Sequence, residues 1–165
     1  MHFGKTNVRF IQVVTIAVFI GSLWGLASAG PPAGKKPGLH IKQASTVNFR
    51  SSSYHIMYDS SGGKWDIQTY GSVYRGTSYS YSGGMYLQIQ GSNFQSLNYQ
   101  GWKNSEGELE LGPWKRNNLV IYRRIKAYKK YPFARWLDII ENPTSATIKV
   151  PIAMYSNVRY SVTQS

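Results

Sequence analysis

The sequence predicts an all-β protein, an antiparallel β-sandwich of about seven to nine short strands. Three observations carry this reading. From about residue 44 onward apolar residues alternate with polar ones and never settle into helical spacing. β-Branched and aromatic side chains dominate those runs, the types that pack on a pleated surface. Clusters of Gly, Asn, Pro and Ser break the runs repeatedly, as turns between short strands require.

The first 29 residues read differently. Lys5 and Arg9 make a positive start, residues 10–26 carry no charge and are mostly apolar, and Ala27-Ser28-Ala29 follows. This is the three-part pattern of a secretory signal peptide over 1–29, and it places the mature protein in the periplasm, on the cell surface or outside the cell. A retained anchor is the rival reading, although the apolar stretch is short for a membrane span. After cleavage no transmembrane segment is expected. Residues 30–44 hold Pro31, Pro32, Pro37, Gly34 and Gly38 among lysines, and read as a flexible lead-in. Residues 45–165 are expected to form a single sandwich domain.

Within that domain the strands can be placed in order. Residues 54–58 and 65–69 flank Asp59-Ser60-Ser61-Gly62-Gly63, a hairpin loop. Met85, Leu87 and Ile89 alternate with Tyr86, Gln88 and Gln90, and Gly91-Ser92-Asn93 ends that strand before residues 94–99. Leu109 and Leu111 alternate with Glu108 and Glu110, before Gly112-Pro113 is expected to stop pairing. In residues 119–127, Leu119, Ile121, Ile125 and Ala127 share one face, while Tyr122, Arg124 and Lys126 share the other. Arg123 breaks the inner face. Lys129-Lys130-Tyr131-Pro132 turns the chain into residues 133–141, whose apolar residues fall on both faces and suit a central strand. Asn142-Pro143-Thr144-Ser145 then leads to residues 146–155, with Ile148, Val150, Ile152 and Met154 aligned, completing a three-strand meander.

The strings Arg123-Arg124-Ile125-Lys126-Ala127-Tyr128 and Ala134-Arg135-Trp136-Leu137-Asp138-Ile139-Ile140-Glu141-Asn142-Pro143-Thr144 resemble a pattern in secreted bacterial all-β domains. Gly71, Gly76 and Gly83-Gly84-Met85 fit the same pattern, which covers roughly residues 65–157. Such domains look like large antiparallel sandwiches near the N-terminus of longer surface proteins. The resemblance implies a fold and an extracellular setting, and it carries no catalytic residue.

Composition narrows the chemistry. The chain has 165 residues, a formal net charge of +12, 13 Tyr and no Cys. Taking Lys5 and Arg9 from the 19 basic residues still leaves 17 against 7 acidic ones. Zero Cys excludes a disulfide scaffold, a thiol nucleophile and a Cys-based zinc site. Catalysis lacks its usual parts. A Ser-His-Asp arrangement would have to rest on His55, and Ser61-Gly62-Gly63-Lys64 matches S-x-x-K without the helix and partner motifs that pattern needs. Glu108 and Glu110 lie on one strand face and are expected to solubilise an exposed edge. Asp138, inside the most apolar strand, is expected to pair with Arg123 or Arg135, because an unpaired buried charge is too costly. No metal, phosphate-loop, dinucleotide or dedicated nucleic-acid motif occurs, and no cofactor is expected.

Binding remains, and two surfaces compete for it. Arg124, Lys126, Tyr128 and Lys130 fall at alternate positions, so they align along one face if the strand continues that far. Such a row of cations and rings suits a polyanion, and Lys126→Glu with Lys130→Glu is expected to abolish heparin retention. The second surface is the Tyr/Ser/Gly stretch 69–86, where Tyr79 and Tyr81 resemble the rigid rings of a recognition loop. Trp102 or Trp114 is expected nearby to stack on sugars. The sequence therefore predicts a secreted, non-catalytic interaction module for a polysaccharide or another anionic polymer. A structural partner subunit of another protein, or the remnant N-terminal domain of a larger secreted enzyme, are the alternatives.

Overall fold

The computed structural model describes residues 39–50 and 53–159. The expected signal peptide over 1–29, and the lead-in as far as 38, lie outside the described residues. In chain order the strands are β1 (Ser45–Asn48), β2 (Tyr54–Tyr58), β3 (Lys64–Gln68), β4 (Tyr86–Ile89) and β5 (Ser92–Asn93), followed by β6 (Gln100–Lys103), β7 (Leu109–Arg116), β8 (Leu119–Ala127), β9 (Ala134–Glu141) and β10 (Ile152–Tyr155). The protein is all-β, and these strands pair antiparallel throughout. Among the described residues there is no helix long and apolar enough to cross a membrane.

Ten strands stand where seven to nine are expected, and they divide into three unequal sheets. Five form the order β1-β6-β7-β8-β9, three form β10-β4-β5, and β2-β3 is a separate hairpin. One core joins them. Met57 and Ile67 from the hairpin, Leu87 and Ile89 from β4, Phe94 from the loop after β5, and Leu109, Leu111, Ile121 and Ile125 from the large sheet form one buried cluster. Apolar burial at about 25 cal/mol per Å² is the driving term that holds such sheets together.

The hairpin loop forms where the sequence places it. Asp59 accepts from the Ser61 and Gly63 N–H groups, from the Ser61 hydroxyl and from the Trp65 indole. These donors, the Ser61 hydroxyl first, hold its carboxyl below the usual range. Gln90 and Gly91, with φ of 49° and 72°, make the tight turn between β4 and β5.

The faces of β8 match the alternation. Leu119, Ile121, Arg123, Ile125 and Ala127 are buried and the intervening residues are half-buried. Arg123 is fully buried, and its Nε donates to Asp138 Oδ1 at 2.7 Å, the pairing expected for that acid. Its Nη1 donates to the carbonyls of Met85 (2.8 Å), Tyr70 and Gly71 (both 3.3 Å). The guanidinium thus ties β8 to the Tyr-rich segment before β4. Gly71 has φ of 67°, and a Cβ there would lie 2.9 Å from Arg123 Cδ, so the close approach requires glycine.

Four expectations fail. Residues 133–141 form an edge strand, β9, because β10 leaves the meander and pairs with β4 instead. Ile148 and Val150 pack against the core from irregular chain before β10. Gly112-Pro113 does not end β7. The register shifts between Leu111 and Trp114, which takes the N–H-less proline out of the ladder before pairing resumes at Ile121. Glu108 and Glu110 do not sit on an exposed edge: β7 runs between β6 and β8, and both carboxylates are buried. Finally, residues 39–44, placed in the flexible lead-in, are docked on the large sheet. Ile41 is buried and its N–H donates to Glu110, while the Ala44 N–H donates to the Lys103 carbonyl.

Candidate functional site: an aromatic and guanidinium groove

The two surfaces expected from the sequence differ in their electrostatics. On the outer face of β8 the cations are matched. Arg124 Nη2 lies 2.7 Å from Glu108 Oε2 and Arg135 Nη2 lies 2.8 Å from Glu108 Oε1. Arg124 also donates to the Leu39 carbonyl at 2.9 Å. Lys126 pairs with Glu106, whose carboxyl is held below its ordinary range by that hydrogen bond and charge. His40 bridges Glu110 (3.3 Å) and Glu141 (3.0 Å) and packs edge-on against Tyr122 at 4.3 Å. Burial first, then the Glu141 and Glu110 charges, push the Tyr122 phenol up. The expected row also breaks in space. β8 ends at Ala127; the half-buried Tyr128 still lies against Lys126 at 5.7 Å and Arg135 at 5.9 Å, while Lys130 belongs to the exposed turn.

The Tyr-rich stretch behaves differently. After β3 the chain turns back so that the Tyr74 N–H donates to the Asp66 carbonyl and the Lys64 N–H donates to the Thr77 hydroxyl. Asp66, buried beneath, accepts the N–H groups of Arg75 (3.0 Å) and Gly76 (2.8 Å). This anchoring lifts Tyr74, Arg75 and Tyr79 outward. A groove of about 520 Å³ opens beside them, bounded by Gln68, Tyr74, Arg75, Tyr81, Tyr86 and Arg159. No carboxylate lines it.

Its side chains form a continuous run. Tyr54 stacks on Tyr74 at 6.1 Å between ring centroids. The Arg75 guanidinium lies 4.8 Å from the Tyr74 ring and 5.0 Å from the Tyr79 ring, and the Arg159 guanidinium lies 5.8 Å from Tyr79. Tyr79 is 48% exposed. Among the described residues neither Arg75 nor Arg159 has a carboxylate partner, whereas Lys64, 5.9 Å from the same ring, is paired with Asp66 at 3.4 Å. Two like charges converge on one ring without a counter-ion. Such guanidinia present planar forks of donors to an oxyanion.

Tyr81 is half-buried and forms the wall of the groove. Its N–H donates to the Arg75 carbonyl at 2.9 Å. A Cβ at Gly76 or Gly84 would lie 3.0 or 2.8 Å from its ring, which is why glycines flank it. Tyr86 stacks on Tyr155 at 5.0 Å, and burial, then the neighbouring Tyr155 and Tyr70, push its phenol up, so it offers a neutral hydroxyl.

Of the six residues read from the sequence, Tyr81 lines the groove and Tyr79 lies beside it, against the groove residues Arg75 and Arg159. Arg124 and Lys126 are neutralised elsewhere, with Tyr128 beside Lys126, and Lys130 stands on the exposed turn. Trp114 is turned into the core, edge-on to Phe94 at 5.8 Å, and is not available to a sugar there. Sequence reading did not single out Arg75 and Arg159. Arg75 had a signal, as the lone charged residue in the stretch 69–86. Arg159 had none, because it arrives only through the pairing of the chain after β10 with residues 80–83. No protein-family model matches the chain, and no curated protein or solved structure is significantly similar to it.

Proposed function

We propose that this is an exported, non-catalytic binding module that takes an acidic polysaccharide along the groove at Tyr79. The observation that carries the reading is that Arg75 and Arg159, without a carboxylate partner among the described residues, both lie against the exposed Tyr79 ring. Sugar rings stack on aromatic faces, and carboxylates pair with guanidinium forks, so alternating rings and guanidinia fit a chain whose sugars carry acidic groups. Export follows from the signal-like segment at 1–29 and agrees with a ligand class found outside the cell.

Affinity electrophoresis in gels containing polygalacturonate, a neutral glucan or no polymer tests this. Retardation by the polyuronate should exceed that by the glucan and fall as salt rises. Arg75→Ala with Arg159→Ala should abolish the acidic preference. Equal mobility in all three gels would refute the proposal. A protein-partner role is the second reading, favoured by Tyr54, Ile56 and Tyr58, all exposed on one face of β2. It requires instead that Ile56→Lys disrupt a complex while leaving polymer retardation intact.

A further inference from the structure

A second surface lies apart from the groove, at the turn joining β8 to β9. Tyr128, Tyr131 and Phe133 contact one another there, with centroid separations of 4.7, 5.9 and 6.3 Å. Tyr131 and Phe133 are about half exposed, at 55% and 46%, with Pro132 also exposed between them. Leaving large rings exposed at a tip keeps in water apolar area that packing inside the fold would have removed, so the arrangement calls for an apolar partner.

The surroundings of these rings say which partner. Lys129 and Lys130 flank them, and among the described residues neither has a carboxylate partner. Lys129 Nζ instead donates to the Tyr58 carbonyl at 2.8 Å. The acids at this end are already engaged: Glu106 by Lys126, Glu108 by Arg124 and Arg135, and Asp59 by its own loop. Part of the turn's backbone is paired, and the Ser60 N–H donates to the Tyr131 carbonyl at 3.4 Å. The Tyr128 N–H donates to the Phe133 carbonyl at 3.1 Å, and the Phe133 N–H donates to the Tyr131 carbonyl at 2.9 Å. Each such pairing lowers the cost of bringing backbone toward a low-dielectric layer. Neither the groove at Tyr79 nor the hollow beside Glu106 includes a residue of this turn.

We infer that the β8–β9 turn is an interfacial anchor for an anionic lipid bilayer. Phe133 and Pro132 enter the acyl boundary, the Tyr128 and Tyr131 hydroxyls remain at headgroup level, and Lys129 and Lys130 meet the lipid charge. Tyrosine suits that boundary because one end is apolar and the other hydrogen-bonds. Lysines flanking the rings add the electrostatic part, each worth about a fivefold change in affinity at an anionic surface. This is independent of the polysaccharide reading, since no residue is shared.

The absence of cysteine allows a direct test. In the full chain, Phe133→Cys carrying an environment-sensitive fluorophore should brighten and shift to the blue on vesicles of phosphatidylcholine with about 30% phosphatidylglycerol. It should not do so on phosphatidylcholine alone. The same label at Ser145→Cys, an exposed position at the opposite end of β9, should stay unchanged and reports on adhesion through any other segment. Lys129→Glu with Lys130→Glu should weaken the response at position 133 by at least about 25-fold. Arg75→Ala with Arg159→Ala should leave it intact. A label at 133 that stays in water while the vesicles bind the protein would overturn the inference, as would equal responses at 133 and 145.

Discussion

The outer face of β8 and the groove at Tyr79 are built from the same residue types, cations interleaved with tyrosines, yet they have opposite electrostatic characters. On β8 every cation of the face meets an acid. Glu108 takes Arg124 and Arg135, and Glu106 takes Lys126. At the groove Arg75 and Arg159 share a ring and, among the described residues, meet no acid. The first arrangement stabilises the sheet and closes the face to ligands. The second leaves two exposed guanidinia whose charge no acid among the described residues compensates. A row of Lys and Arg in a sequence therefore says little about binding until the carboxylates of neighbouring strands are located.

The comparison can be broken most severely at Glu108. Glu108→Ala leaves two guanidinia without their shared partner, and should lower stability by about 2 kcal/mol, read as a shift of the urea midpoint. Arg75→Ala should change stability by no more than about 0.5 kcal/mol. If the two substitutions cost the same, the division between structural and ligand-facing cations is wrong.

Ligand binding should show the reverse order. Arg75→Ala with Arg159→Ala should weaken polyuronate binding by at least about tenfold, or about 1.4 kcal/mol. Lys126→Glu should alter it less than about twofold, since that lysine is already committed to Glu106 and lies outside the groove. A large loss on Lys126→Glu, measured by the same electrophoresis, would return the site to β8.

A subtler change tests geometry alone. Gly84→Ala sets a methyl group against the Tyr81 ring and should reduce polyuronate affinity by about threefold while all cations remain. Tyr81→Phe, which keeps the ring, should leave affinity within about twofold of the parent.

The smallest effect is on pH dependence. Burial, then the Lys103 charge, lowers the His55 pKa below 6.5 in the fold. Between that lowered value and 6.5 the unfolded imidazole binds more protons than the folded one. Stability should therefore decline as pH falls through 6.5 and level off below the folded-state pKa. Asp59 acts further down the scale. Its lowered pKa contributes stability above the ordinary carboxylate range, and that contribution is lost as pH falls through the folded value. His55→Gln should remove the first decline and leave the second, as urea midpoints across pH would show.

Much of the large sheet was legible because period-two alternation is local. Leu119, Ile121, Ile125 and Ala127 were assigned to the buried face, and all four are there. Arg123 was marked as a break in that face, and the requirement that a buried charge be paired led directly to Asp138. Strand neighbours were harder to read. Ile139 faces away from the main core, opposite Tyr122 in register, where the docked segment at Ile41 helps cover that face. The edge position of β9 and the transfer of β10 to β4 depend on which strand pairs with which, and alternation within one strand carries no information about that.

The sequence by itself determined that the protein is all-β, where its hairpin loop lies, which face of β8 is buried, and that Tyr79 and Tyr81 sit in a glycine-rich segment able to present rings. Tertiary structure alone decided which cations are free. Charge compensation acts between residues far apart in the chain, Glu108 with Arg135 or Arg159 with Tyr79, and the Coulomb energy depends on distance in space and on burial rather than on order along the backbone.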